Sequence, residues 1–419
     1  MVVKTSVQIA FILFCFALHK PLYAQQVPDS TGMGANSQMS SMLPSAPAQQ
    51  DIKDLVRKIF SPQNSGDRKE TELQKNKVYN SFFPMAGYTL QTGFAVILSE
   101  GLAFYMDTTG RQKISSILTS ITFTQYRQLL FPLTVNLWTA HNKFNIVLDD
   151  RFLKYPSTTY GIGARTAESD AYTLNYNYIK LHQTIQAKIY NNLYAGLGVY
   201  YDHLWNITEV DPPAGTRTSF QKYGVSQTET ASGLAFKLLY DSRINQINPA
   251  NGLYSNIVYR PNFTFMGSDN NWQSLQIDIR KYLKLFGSPK NILALWSFNW
   301  LTLGKTKPPY LLLPSTGWDD FYNTGRGYVQ SRFRAKDMIY AEAEYRFGIL
   351  NNGLLGGVIF TNVQSFSRNL TNQLSVFAPG AGAGLRIKLN KYSNTNLCVD
   401  YGFGINGSRG VFLNLGEVF

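Results

Sequence analysis

The residues best suited to chemistry in this sequence are an arginine and the acids that follow it. Arg326 sits in Gly325-Arg326-Gly327-Tyr328, and the segment after it carries Tyr340, Glu342, Glu344 and Arg346 at every second position. An arginine carries five donors and stays charged at any ordinary pH, so burying it requires a partner, and Glu344 is the carboxylate to expect. The other patterns lead away from catalysis. Gly402-Phe403-Gly404-Ile405-Asn406-Gly407 satisfies G-x-G-x-x-G, but it reads as a strand and its turn with no helix to receive a phosphate. His141, His182 and His203 fall in no H-E-x-x-H, and there is no G-x-S-x-G elbow. Cys15 lies in an apolar run directly after Phe14, where lipid attachment wants a small residue, which leaves Cys398 by itself. No disulfide framework, metal site, cofactor or catalytic residue is expected.

The elements that must position such an arginine are set by composition. The 419 residues are 44% hydrophobic, 14% aromatic and only 16% charged, with 33 glycines. Soluble proteins carry about 25% charged residues. A membrane barrel instead needs apolar and aromatic residues on one face and small or polar ones on the other. Lys4, the apolar run Ile9 to Leu18 and the small Ala24 before Gln25 read as a secretory signal peptide over 1–24. That run is about ten residues, against roughly twenty for a spanning helix. Its removal would lower the formal charge from +13 to +11 by taking away Lys4 and Lys20. The excess suits anionic outer-membrane lipid and lipopolysaccharide, or a lumen, better than nucleic acid.

Residues 25–82 read as a disordered leader and linker, rich in Ser, Pro, Gln and Gly, with one short helix expected over 51–60 from Ile52, Leu55, Val56, Ile59 and Phe60. From 83 to 419 the period is two. Leu193, Ala195, Leu197, Val199 and Tyr201 alternate with Tyr194, Gly196, Gly198, Tyr200 and Asp202. Ala381 to Leu389 alternate with Gly380, Gly382, Gly384, Arg386 and Lys388 in the same way. A row of glycines and isolated charges opposite an aliphatic row fits a lumen better than a solvated sandwich face. The expectation is an all-β, transmembrane antiparallel barrel of sixteen strands, the first over 88–98, the second over 100–107 and the last over 409–419. Long connections at 153–173, 205–227 and 303–334 all follow odd-numbered strands, as they must if both ends of the barrel lie in the periplasm. Trp296, Phe298 and Trp300 are expected on the lipid face.

Three motifs add a resemblance. Tyr240-Asp241-Ser242-Arg243 is followed by Asn248-Pro249-Ala250-Asn251-Gly252, Gly325-Arg326-Gly327-Tyr328 lies in the connection after the eleventh strand, and Phe419 ends the sequence on the parity of Val411, Leu413 and Leu415. Together they resemble the BamA-like superfamily of outer-membrane insertases and translocases, which carries the bacterial surface antigen domain. Turn chemistry accounts for Pro249 and Gly252 but does not require Asp241 and Arg243. Ile244 stands where that family usually has an acid.

The resemblance implies that the long loop folds into the barrel and that Arg326, with Gly327 and Tyr328 at the tip, is locked to inward strand residues. Glu344 matches the first of these. Asn362 stands where the second, usually Asp, belongs, and Asp400 is the available substitute. Phe419 would be a terminal barrel-assembly signal on the last strand. The implied function is protein insertion or translocation in the outer membrane of a Gram-negative bacterium, with unfolded barrel clients and periplasmic or outer-membrane accessory proteins as partners. A passive pore or structural subunit is the second reading. Residues 25–82 are too few and too polar for a periplasmic polypeptide-transport-associated domain of the kind best-known members carry.

Overall fold

The computed structural model describes residues 49–52, 54–55, 78–89, 92–106, 112–163, 165–215, 217–224, 226–288, 290–320, 322–368, 370–391 and 393–419. The expected signal peptide, most of the leader and the second half of the 51–60 helix lie outside them. Alternating β-branched and aromatic residues form sixteen barrel strands among the described residues. The first eight are β1 (Tyr79–Thr89), β2 (Gly93–Phe104), β3 (Ser115–Thr124), β4 (Leu129–Trp138), β5 (Phe144–Lys154), β6 (Tyr172–Tyr190), β7 (Leu193–Val210) and β8 (Thr228–Asp241). The second eight are β9 (Gly252–Asn262), β10 (Trp272–Lys284), β11 (Ile292–Leu303), β12 (Asp337–Gly348), β13 (Leu355–Ser367), β14 (Leu374–Asn390), β15 (Thr395–Gly404) and β16 (Arg409–Leu415). Each pairs antiparallel with the next. A three-residue segment, Ser157–Thr159, pairs with the start of β6.

Backbone groups in lipid must find partners within the protein, so strands cross a bilayer only as a barrel. No helix among the described residues is long and apolar enough to cross. The two faces separate sharply. On β7, Leu197 and Val199 are 58% and 53% exposed while Tyr194 and Asp202 are buried. Strands β6 and β7 run to 19 and 18 residues, against the roughly 9–11 that span a bilayer. They project beyond the hydrocarbon and carry the connections 155–171 and 211–227.

The first hairpin departs from the sequence expectation. The barrel starts at Tyr79, not 83, and a turn before Gly93 interrupts the stretch 88–98 read as one strand. Nothing between Thr89 and Thr92 is a Pro or an Asn-Gly pair, so the period reads straight through; Gly93, at φ +60°, takes the left-handed conformation the turn needs. Trp296 and Phe298 are also not on the lipid face. Both are buried in a lumenal cluster with Tyr282, Tyr328, Phe333, Tyr340, Phe366 and Phe419. Period-two alternation separates two faces but does not say which one meets lipid, and a filled lumen takes aromatics as readily as an interfacial belt does.

Among the described residues no register joins β1 to β16, although the strands touch: a Cβ added at Gly87 would lie 2.6 Å from Leu413 Cδ1. Ahead of the first strand, Asp51 opens a helical turn, its carbonyl accepting from the Leu55 amide at 3.2 Å and its carboxylate from the Asp54 amide at 3.1 Å. This segment rests on the barrel rim. The Gln50 amide donates to the Asn352 carbonyl (3.0 Å), and the Lys391 ammonium lies 3.2 Å from Asp54.

Candidate functional site

The connection from β11 to β12, residues 304–336, folds into the barrel. Its base is a narrow hairpin, with the Thr316 amide donating to Phe333 (3.0 Å) and the Ser331 amide to Thr316 (2.9 Å). Buried Arg334 braces it by donating to the Tyr310 carbonyl at 3.0 Å. Asp319 organises the descent, accepting from the Asn323 amide at 3.0 Å and the Thr324 amide at 2.7 Å. At the tip Gly325 (φ +81°) and Gly327 (φ +106°) hold a tight turn closed by Tyr328 N–H to Gly325 O at 3.0 Å.

The wall is cut away to receive that tip. A Cβ on Gly402 would lie 2.7 Å from the Gly327 nitrogen, one on Gly380 would lie 2.8 Å from the Arg326 carbonyl oxygen, and one on Gly404 would strike the Tyr328 ring. The inward glycine row therefore lets backbone lie against backbone. Tyr328 fixes the tip, donating from its hydroxyl to Pro379 O at 2.5 Å and accepting from the Ile405 amide at 3.1 Å.

Arg326 is 1% exposed. Its Nη2 donates to both Glu342 and Glu344, its Nη1 donates to Asp400 at 2.5 Å, and its guanidinium lies 3.7 Å from the centre of the Phe360 ring. Two further arginines complete the cluster. Arg346 Nε donates to Glu344 at 2.7 Å, Arg386 Nη1 to Asp400 at 2.5 Å, and Arg386 Nε to Glu417 at 2.7 Å. Three guanidiniums thus face four carboxylates out of water, each carboxylate within reach of at least one guanidinium, where an unpaired charge would be costly. Tyr340 donates its hydroxyl to Glu342.

Two expectations for this site are corrected. Asn362 is no partner of the guanidinium; its Nδ2 donates to the backbone carbonyl of Arg326 at 2.9 Å. The charges come from Glu342 and Asp400 in addition to Glu344, giving three where one or two were expected. Glu342 shares the inward parity of Glu344 on β12, and that parity was the signal for it.

Phe419 is not on the last strand. Strand β16 stops at Leu415, Gly416 takes φ +83°, and the next three residues enter the lumen, where Phe419 is buried with its ring centre 5.1 Å from that of Trp296. Alternation cannot register a one-residue turn, so the parity of Leu413 and Leu415 appeared to continue.

The Asp241 motif lies at the β8–β9 turn beside this tail, where the Ile247 carbonyl accepts from the Glu417 amide at 2.9 Å. Arg243 Nε donates to Asp241 at 2.9 Å, Lys113 Nζ to the Asp241 carbonyl at 2.7 Å, and the Arg243 guanidinium lies 4.2 Å from the centre of the Tyr254 ring. Pro249 is buried in the turn. Gly252, at φ +116°, has no room for a side chain, since a Cβ would lie 3.0 Å from the Ser242 carbonyl. The exposed Ile244 makes no ion pair.

A second charged set, not anticipated from sequence, ties the loop to the far wall. Lys180 Nζ bridges Asp149 (2.7 Å) and Asp320 (3.2 Å), and Arg151 donates to the Asp320 carbonyl. Beside it, Asp202 accepts from the Tyr178 hydroxyl at 2.5 Å and pairs with Arg260 at 2.5 Å. A cavity of about 850 Å³, counting the space shared with solvent, remains between this wall and the loop.

A closed-lumen barrel whose long loop is folded inward and held by a buried arginine defines a class: the transmembrane barrels of the BamA type. The Omp85 superfamily domain matches residues 120–408, more than half of the chain, and the protein belongs to that superfamily of outer-membrane barrels for protein insertion or translocation. Among solved structures, BamA from Haemophilus ducreyi lacking POTRA domains 1–3 is similar at a TM-score of 0.53 and 14% identity, covering 81% of this chain and 70% of that one. CdiB from Acinetobacter baumannii aligns at 0.52 and 13%, over 81% of this chain and 60% of that one. CdiB from Escherichia coli aligns at 0.52 and 10%, over 84% and 65%. These likenesses concern the fold. No protein of curated function matches the sequence significantly.

Proposed function

We propose that this barrel handles client polypeptide at its β1–β16 seam while the Arg326 cluster holds the long loop in the lumen. The observation that carries this reading is the seam itself: two strands in contact with no ladder between them among the described residues. An unpaired strand edge offers donors and acceptors to an incoming strand, and β-augmentation uses them directly. The lock, made of Arg326, Glu342, Glu344 and Asp400, keeps the lumen filled so that opening the seam does not open a channel. Unfolded barrel proteins are the clients, and periplasmic or outer-membrane accessory proteins are the partners. A Gram-negative outer membrane, reached after removal of residues 1–24, is the location. A wide passive pore fits less well, because aromatic clusters from the loop and from residues 417–419 occupy the lumen.

The test is assisted folding. Proteoliposomes carrying this protein should fold an added, urea-unfolded barrel protein faster than empty liposomes and should show no large stable conductance. Equal folding rates together with a steady open conductance would favour the pore.

A further inference from the structure

Strand β16 is seven residues long and, among the described residues, is paired along one side only, with β15. Such a short edge strand frays unless something else holds it. What holds it lies beyond its end. Gly416 turns the chain inward, and the Glu417 amide donates at 2.9 Å to the Ile247 carbonyl of the β8–β9 turn. The Glu417 carboxylate accepts from Arg386 Nε and from Asn396 Nδ2, each at 2.7 Å. The Val418 carbonyl accepts from Asn323 Nδ2 of the long loop at 2.6 Å. The Phe419 carbonyl accepts from Arg346 Nη2 at 3.0 Å, and its ring packs on Trp296 and Tyr282.

Two features link this tail to the loop. Asn323 is shared, since its Oδ1 also accepts from Asn414 on β16 at 3.0 Å, so one loop side chain grips both the strand and its tail. The arginines are shared as well: Arg346 divides its donors between Glu344 and Phe419, and Arg386 between Asp400 and Glu417. Loosening either set leaves buried charge that the other must compensate, which is a coupling between the two.

We propose that Glu417 and Phe419 are positioning residues for the seam: they latch β16 to the lumen and couple its release to the Arg326 lock. This rests on the seam reading above and adds to it what holds β16 in place there. The latch is a local hold on one strand, not a general stabiliser of the barrel.

Hydrogen–deuterium exchange of the whole protein in lipid nanodiscs separates these. Glu417→Gln and Phe419→Ala are expected to raise exchange over 409–415 about tenfold or more, the scale of one lost charge-assisted bond or buried ring. Exchange over 172–190 should not change, and Phe419→Tyr should restore the wild-type rate at 409–415. Asn323→Ala, which leaves the tail sequence intact, should also raise 409–415 and serves if either tail variant fails to fold. Arg326→Ala should raise it too. Unchanged exchange at 409–415 in the tail variants and Asn323→Ala, or an equal rise across all strands, overturns the latch. A rise in the tail variants but not in Arg326→Ala overturns the coupling. Because exchange is read without client, the latch and client handling at the seam fail separately.

Discussion

Replacing Arg326 with alanine is the sharpest perturbation of this barrel. The side chain makes three charge-assisted hydrogen bonds to buried carboxylates and stacks on Phe360. Charged hydrogen bonds contribute about 1.5–3 kcal/mol each, so a naive sum for three would be roughly 5–9 kcal/mol. The sum overshoots, because Arg346 still serves Glu344, Arg386 still serves Asp400, and the Tyr340 hydroxyl still donates to Glu342. Breaking one buried pair costs about 3–5 kcal/mol, and that range is expected here for docking of the loop tip. In exchange or limited-proteolysis terms it is a rise of about a hundredfold to several thousandfold in opening of residues 318–334. Limited proteolysis in detergent, followed by mass spectrometry, reads this directly, and thermal unfolding should shift downward in parallel. Glu342→Gln added to Arg326→Ala should recover part of the loss, since it removes the orphaned charge. If Arg326→Ala leaves both loop cleavage and unfolding temperature unchanged, or if the second substitution makes matters worse, the charge-balance reasoning is refuted.

Other variants probe the bed and the rim. Gly402→Val should expel the loop tip, since even a Cβ would lie 2.7 Å from the Gly327 nitrogen; the expected sign is increased cleavage near Tyr328 with the barrel still resistant to cold detergent. Asn362→Ala should cost about 1 kcal/mol, one neutral hydrogen bond, and produce a far smaller rise in cleavage than Arg326→Ala. Asp241→Asn should destabilise the β8–β9 turn by weakening its ties to Arg243 and Lys113, by about 1–3 kcal/mol measured as thermal unfolding.

How much of this was legible beforehand follows from what a two-residue period can and cannot report. It exposed Glu344 and Asp400 as inward residues opposite greasy neighbours, and it put the long connections after the fifth, seventh and eleventh strands. Turn chemistry marked Pro249 and Gly252. The period is blind to any conformational change confined to one or two residues. It ran through the first turn before Gly93 and through Gly416, and so set Phe419 on the membrane wall instead of in the lumen. It is equally blind to which face meets lipid, which misplaced Trp296. Asn362 stands at a position where an acid would meet the guanidinium, whereas its amide donates to the Arg326 backbone carbonyl, which an ionised carboxylate cannot do. The Lys180–Asp320 bridge joins residues far apart in sequence, and no local pattern announces it.

Client handling at the seam is the central claim, and site-specific photo-crosslinking tests it most directly. A photoreactive residue is placed at Leu413 on β16, beside the seam, and in a second variant at Leu197 on the lipid-facing wall of β7, during assisted folding of an unfolded barrel protein. Adducts to the client at Leu413 and none at Leu197, lost once folding is complete, are the expected result. Equal labelling at both positions, or no adduct at Leu413 while the client still folds, would contradict it.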